Sequence, residues 1–227
     1  EPMILRRSDG YIGTLVDDLV TKGTNEPYRM MTSRAEHRLS LRQDNADLRL
    51  TCIAYEAGLA TRERMERTER KASETAQLLG ELRKAKYTPG VTLNDWLEKH
   101  HQPEAQNGLS AVELLKRPEI TLSALAELSP EIRQFGKPAQ EQAEISVKYE
   151  GYLERQETLI RHARQMEETL LPEDLPYEEV TGLRIEARQK LMKQRPRSLA
   201  AASRIPGVSP ADVAVLMVFL EKHKGNA

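Results

Sequence analysis

Residues 61–86 read Thr-Arg-Glu-Arg-Met-Glu-Arg-Thr-Glu-Arg-Lys-Ala-Ser-Glu-Thr-Ala-Gln-Leu-Leu-Gly-Glu-Leu-Arg-Lys-Ala-Lys. Apolar residues are sparse here. Even so, Met65, Thr68, Ala72, Thr75, Leu79 and Leu82 recur at alternating steps of three and four. That is the spacing of a coiled-coil seam on one helix face. A long charged helix is therefore expected, closed by Thr88-Pro89-Gly90. The same alternation returns in 138–170, at Ile145, Tyr149, Tyr152, Gln156, Leu159, Ala163, Met166 and Leu170. Two long helices with narrow seams predict an antiparallel pair. A groove for a foreign helix is the competing reading. The fold class follows: mainly α.

Between these helices, 91–135 is a string of helix starts. Thr92 precedes Leu93 to His100. Ser110 with Glu113 forms a capping box, in which side chain and backbone satisfy each other's orphan groups. Thr121 precedes Leu122 to Leu128, and Ser129-Pro130 opens another turn. Residues 101–109 read as an exposed loop.

Towards the N-terminus, Ser8 and Asp9 are cap candidates and Gly23 a stop. Tyr11, Ile12, Leu15, Val16, Leu19 and Val20 lie at helical spacing and predict a buried apolar face. His37-Arg38-Leu39-Ser40-Leu41-Arg42 alternates like a short strand, the one extended segment expected near the N-terminus. Asn45-Ala46-Asp47 opens a second helix, with Leu48, Cys52 and Tyr55 on one side and Gly58 at its end. Towards the C-terminus, Leu171-Pro172 and Leu175-Pro176 read as a linker. Helices are expected over 182–195, 198–204 and 210–222, the last with Val213, Leu216, Met217 and Leu220 on its apolar face. They form a small three-helix bundle, too small to be very stable without a neighbour. The expected divisions are 1–60 as a junction, 61–172 as a helical domain and 173–227 as the small bundle.

The 227 residues carry a net charge of −1, so any affinity for nucleic acid must come from local patches. With only two Phe and one Trp, the core must be aliphatic, which suits helical layers. Cys52 is the single cysteine, which excludes an internal disulfide and points to a reducing, cytoplasmic setting. No apolar run approaches the roughly 18–20 residues that span a bilayer. The chain opens Glu1-Pro2-Met3-Ile4-Leu5-Arg6-Arg7, as expected of a piece of a longer protein.

No catalytic set assembles. A Gly-rich dinucleotide fingerprint and a Cys-x-x-Cys pair are both absent. The histidines are His37, His100, His101, His162 and His223; the adjacent pair would diverge on a helix, so no metal site is expected. Cys52 reads as a buried, inert thiol. Asp17-Asp18 and Glu178-Glu179 read as solvated charges.

Two basic features remain. Arg29, Arg34, Arg38, Arg42 and Arg49 crowd 26–51, and the arginine fork suits phosphate or carboxylate. Arg184, Arg188, Lys190, Lys193, Arg195, Arg197 and Arg204 face only Glu186 within 184–204, a local charge of +6. Such a patch can hold an RNA backbone. The first set is equally readable as salt bridges to the chain's own acids, and the second as a solvated face.

Several segments resemble the GidA/MnmG family, flavin-dependent enzymes of tRNA wobble-uridine modification. They are Arg7-Ser8-Asp9-Gly10-Tyr11-Ile12-Gly13, Glu26-Pro27-Tyr28-Arg29-Met30, Thr32-Ser33-Arg34-Ala35-Glu36 and Asp44-Asn45-Ala46-Asp47-Leu48-Arg49-Leu50-Thr51. Further along come Val147-Lys148-Tyr149-Glu150-Gly151-Tyr152 and Ala202-Ser203-Arg204-Ile205-Pro206-Gly207-Val208. The resemblance implies the C-terminal portion of such an enzyme. FAD, NADH and the catalytic cysteines would be bound or carried outside this chain, leaving the chain itself non-catalytic. It further implies tRNA and a tRNA-modification GTPase as partners, and a homodimeric parent. The arginines of 29–49 would meet tRNA or the junction with the flavin domain. The cations of 184–204 would dock tRNA or the GTPase. A stand-alone helical adaptor and a helix-hairpin-helix nucleic-acid module, suggested by Ile205-Pro206-Gly207-Val208, are the competing readings.

Overall fold

The computed structural model describes residues 3–21 and 23–224, with side chains as far as Lys222; the His223 side chain lies outside them. Among the described residues the chain is helical apart from one two-stranded sheet. It divides into two compact units, Glu1–Gln156 and Glu157–Ala227.

The first unit is built on α3 (Arg62–Lys84). Thr61 caps it by accepting from the Arg64 N–H, which satisfies one of the orphan donors of the first turn. Its inward stripe is Thr68, Lys71, Thr75, Leu78 and Leu82 rather than the expected seam. The stripe keeps the alternation of three and four but is offset by one residue at two positions, so Ala72 is exposed. Two helices precede α3: α1 (Tyr11–Thr21) and α2 (Ala46–Glu56). Gly23 and Gly58, which end these two segments, both adopt positive φ. That conformation is open to glycine without steric cost.

After α3, Lys86–Tyr87 (β1) pairs antiparallel with Leu109–Ser110 (β2). The helix α4 (Val91–Lys99) lies between them. The 101–109 segment is not simply an exposed loop, because Ala105 is buried and its N–H donates to the Asn94 side chain. The Ser110–Glu113 capping box forms as expected and starts α5 (Ala111–Leu115); Thr121 caps α6 (Leu122–Leu125). A 3-10 turn over Pro130–Gln134 leads to α7 (Lys137–Lys148). Leu78, Leu82, Leu97, Leu114, Leu115, Ile120, Leu125 and Ala143 form the core, all at most 2% exposed.

The expected long antiparallel pair does not form. The helix breaks at Tyr149, and a separate α8 (Glu150–Glu168) follows. α3 packs on α7, but the two run in the same direction. The start of α7 meets the middle of α3, where Gly136 N–H donates to Glu74. Beyond the end of α7, Glu150 faces Arg83 near the end of α3. The connection through β1 to the 3-10 turn makes this possible by carrying the chain back along α3.

The second unit contains α9 (Ile185–Gln194), α10 (Leu199–Ser203) and α11 (Pro210–Lys224). The Pro-rich segment before them is not a linker. Leu171, Leu175, Tyr177, Val180 and Leu183 all enter the core beside Leu191, Leu199, Leu216 and Leu220. Leu171 N–H donates to Arg197 O, and Leu199 N–H to Thr169 O, fixing this strap against α10. The strap adds five buried apolar side chains to a core that three short helices would leave thin. Each such side chain contributes about 1.5–3 kcal/mol. On α11, Val213, Leu216 and Leu220 are buried as expected, but Met217 faces outward.

Candidate nucleic-acid interface

The arginine-rich stretch is organised by a residue outside it, Arg7. Its guanidinium lies 2.7 Å from Asp18, 2.9 Å from Asp17 and 2.8 Å from Glu36. The Glu36 pair is bidentate, through both Nε and Nη2. Burial by itself would lower the Arg7 pKa, but the hydrogen bonds it donates to Glu36 and Asp18 outweigh that and hold the group firmly charged. Burial likewise pushes Glu36 up, and Arg7 more than offsets it, leaving the carboxyl below its ordinary range. The adjacent acids Asp17 and Asp18 are therefore not solvated charges: Asp18 is 4% exposed.

Asp18 also accepts from the Tyr28 hydroxyl at 2.6 Å, which raises the phenol's pKa. The Arg34 guanidinium sits 4.6 Å over the Tyr28 ring, a cation–π contact. Arg7 donates to the Arg34 carbonyl as well. The 24–36 loop is thus pinned to α1 at Tyr28, Arg34 and Glu36. Gly13 is where the Leu5–Arg6 backbone presses on α1, since a Cβ there would lie 2.1 Å from Arg6 O.

This polar packing reverses the expected face of α1. Gly13, Thr14 and Asp18 point inward, while Ile12, Val16, Leu19 and Val20 are exposed. The 37–42 segment is not a strand either. Ser40 and Leu41 N–H groups both donate to His37 O, making a turn. His37 is buried, with Nδ1 2.9 Å from Gln156 Nε2.

The five arginines separate into two classes. Arg29, Arg34 and Arg38 are exposed. Arg42 is paired with Asp44 and donates to Leu39 O. Arg49 donates to Asn45, Arg42 O and Asp9 O, and burial followed by the Arg42 charge lowers its pKa. Both hold the start of α2 in place, and so does Lys71, whose ammonium reaches Asp47 and Asp44 O from α3. Cys52 is exposed, not buried. The Glu56 carboxylate beside its sulfur raises its pKa, so charge rather than burial keeps the thiol protonated.

The second basic set is largely committed to its own fold. Arg184 lies 2.6 Å from Asp212 and donates to Gly207 O. Asp212 also accepts from Ser209 N–H and Oγ at the start of α11, and the Arg184 contact lowers its pKa. Lys190 binds Glu186 and Pro206 O. Arg195 donates to Glu173 O and Leu175 O and packs over the Tyr177 ring. Arg188 reaches Val180 O, and Arg204 lies 3.6 Å from Glu167. Lys193 and Arg197 are exposed cations of this set.

Composition and spacing give Arg7, Asp18, Tyr28 and Glu36 no functional role. Thr14 and Asp18 sit four apart on one side of α1, a signal that the apolar periodicity masked.

Comparison with known proteins places these features in a family. Residues 62–157 match the family described as tRNA modifying enzyme MnmG/GidA C-terminal helical domain, and residues 159–227 match the C-terminal helical bundle of the same enzyme. The chain belongs to the MnmG/GidA family. It is 49% identical over 225 residues to the tRNA uridine 5-carboxymethylaminomethyl modification enzyme MnmG of Alkaliphilus metalliredigens, covering 99% of this chain and 36% of that protein. It is 47% identical over 224 residues to MnmG of Caldicellulosiruptor saccharolyticus, again spanning 36% of the relative. A crystal structure of Aquifex aeolicus GidA superposes with a TM-score of 0.75 at 34% identity, covering 97% of this chain and 34% of that one.

The resemblance read in the sequence implies a flavin. The residues here do not fit one: among those described, the only sheet joins two strands of two residues each, and no strand–Gly-rich turn–helix unit cradles a dinucleotide. No helix of the described residues is long and apolar enough to cross a membrane.

Proposed function

We propose that this chain is the tRNA-binding and partner-docking part of an MnmG-type enzyme that modifies carbon 5 of wobble uridine 34. The observation that carries this reading is the pinned loop with its exposed arginines. Arg29, Arg34 and Arg38 stay exposed around a buried network, centred on Arg7, that costs the fold desolvation. Holding cations in fixed positions lowers the ordering cost of meeting a phosphate backbone. In this reading Arg42 and Arg49 support the junction, residues 1–60, next to a flavin domain. FAD, NADH and the catalytic cysteines belong to that other part of a homodimeric, cytoplasmic parent, and this chain performs no chemistry itself. Lys193 and Arg197 are the exposed cations left to dock the tRNA-modification GTPase or tRNA.

Affinity for tRNA measured at two salt concentrations tests the loop. Arg34→Ala with Arg38→Ala should weaken binding and reduce the salt slope by about two, one per lost phosphate contact. Unchanged affinity and slope would remove the loop from the interface. Capture of the GTPase by Lys193→Glu with Arg197→Glu tests the docking role; undiminished capture would sink it.

The helix-hairpin-helix reading draws no support from the Ile205-to-Val208 turn. Val208 N–H donates to Ile205 O, and Ser209 N–H to Asp212. Those donors are occupied, and a buried carboxylate stands where a phosphate would have to bind.

A further inference from the structure

The break between α7 and α8 exposes a surface that the proposed function leaves unused. A continuous helix would have placed Tyr149 and Tyr152 on the seam. Instead Tyr149 leaves helical geometry at φ −104°, ψ 10°. The two side chains are 49% and 61% exposed, with ring centroids 6.4 Å apart and planes tilted by 53°. Aromatic residues make up only 4% of this sequence, so two adjacent rings left in water are not a spill-over from the core.

Gly151 lies between them, in the first turn of α8. A Cβ there would meet nothing within 4 Å, and its φ is not positive. Neither packing nor backbone conformation requires a glycine, and glycine weakens a helix relative to alanine. Its effect is to leave bare backbone beside the Tyr152 ring. An open depression of about 410 Å³ lies here, lined by Lys148, Gly151, Tyr152, Glu154 and Arg155, within the size range of ligand-binding pockets.

The surrounding charges favour an anionic ligand. Glu150 is met by Lys116 at 2.7 Å and Arg83 at 4.0 Å, and Glu144 by Lys148 at 3.1 Å. Among the described residues lining the depression, Lys148 and Arg155 are cations and Glu154 is the one acid. Exposed aromatic rings beside cations are how proteins hold unpaired nucleotides: the ring stacks on a base and the cation meets the neighbouring phosphate.

We propose that Tyr149 and Tyr152 form a stacking platform for an unpaired base of tRNA, with Gly151 admitting the base to the backbone and Arg155 meeting the adjacent phosphate. This rests on the reading of the chain as tRNA-binding and assigns one contact within it.

Fluorescence anisotropy with labelled tRNA and the 227-residue chain tests it. Tyr152→Ala should weaken binding on the order of tenfold with an unchanged salt slope, because no cation is removed. Tyr152→Phe should bind within about twofold of the parent, since the face of the ring is kept. Gly151→Ala should raise the thermal midpoint while weakening binding, which separates the role from folding. Wild-type affinity in Tyr152→Ala, or equal losses in the Phe and Ala variants, would overturn the platform. So would a fully paired RNA duplex competing as well as tRNA. Loss of GTPase capture in Tyr152→Ala with tRNA affinity kept would assign the surface to protein and overturn it too. If the parent chain fails to bind tRNA, the proposed function falls with it. If the parent binds and the tyrosine variants are indifferent, only the platform falls.

Discussion

The segment around α1 and the second unit each contain an arginine gripping a buried aspartate, yet they are built on opposite principles. Around α1, the inward side chains are Thr14 and Asp18, held by Arg7, with His37 buried nearby. The apolar side chains of α1 face outward. In the second unit, fourteen apolar residues close a core, and the Arg184–Asp212 pair sits at its edge with the arginine side chain 55% exposed. The first region depends on charges whose removal leaves others stranded. The second depends on burial and uses its ion pair as a helix cap.

Arg7→Ala should have the largest effect. It removes the buried cation that Asp17, Asp18 and Glu36 share, at a cost of about 3–5 kcal/mol. Hydrogen exchange should show residues 10–40 opening while the second unit keeps its protection. Equal loss of protection in both would break the contrast. Next, Leu191→Ala, at a fully buried position of the second unit, should cost about 3 kcal/mol by leaving a cavity. The urea midpoint of that unit reads it, and the α1 segment should be untouched.

The same contrast explains what was legible in the sequence. Helix starts governed by local hydrogen bonds were readable, as at Ser110 with Glu113 and at Thr121. Stops at Gly23 and Gly58 were readable because positive φ is a local demand. Periodicity identified α3 but misassigned Ala72, because Lys71 is drawn inward by Asp47 on another helix. It predicted one helix where Tyr149 breaks into two, since nothing in the seam records the return of the chain through β1 and α4. Pro172 and Pro176 suggest a linker at 171–183, while Leu171 N–H pairs with Arg197 O and Leu175 O accepts from Arg195, 20 residues on. Among the site arginines, sequence could not separate the exposed Arg29, Arg34 and Arg38 from the committed Arg42 and Arg49. Arg42 has Asp44 two residues on and Arg49 has Asn45 one turn back, but the Asp9 carbonyl that fixes Arg49 lies 40 residues away and arrives only with the fold.

Arg184→Ala should be milder than Arg7→Ala, because the exposed arginine is screened by solvent and Ser209 still binds Asp212. The pair also predicts a pH response. Asp212 has a folded pKa below its unfolded value near 3.9. Its contribution is therefore complete above that value and lost as the pH falls below it towards the folded pKa. In Arg184→Ala, the second unit's stability should fall less steeply between about pH 4 and pH 2 than in the parent. An unchanged slope would show that Ser209 alone sets the Asp212 pKa.

The smallest expected effect tests the reversed face of α1. Read as a core position, Val20 would cost about 1–3 kcal/mol on replacement by serine, through lost apolar burial and an unpaired hydroxyl. It is 78% exposed, so Val20→Ser should change stability by no more than about 0.5 kcal/mol in this chain. Thr14→Val is the matched opposite. Thr14 is fully buried and its hydroxyl donates to Arg7 O at 3.4 Å, so that substitution leaves a carbonyl short of a donor inside the polar network. Hydrogen exchange over α1 should therefore accelerate in Thr14→Val, the more hydrophobic variant, and stay as in the parent for Val20→Ser. The reverse order would mean that α1 buries its apolar face after all.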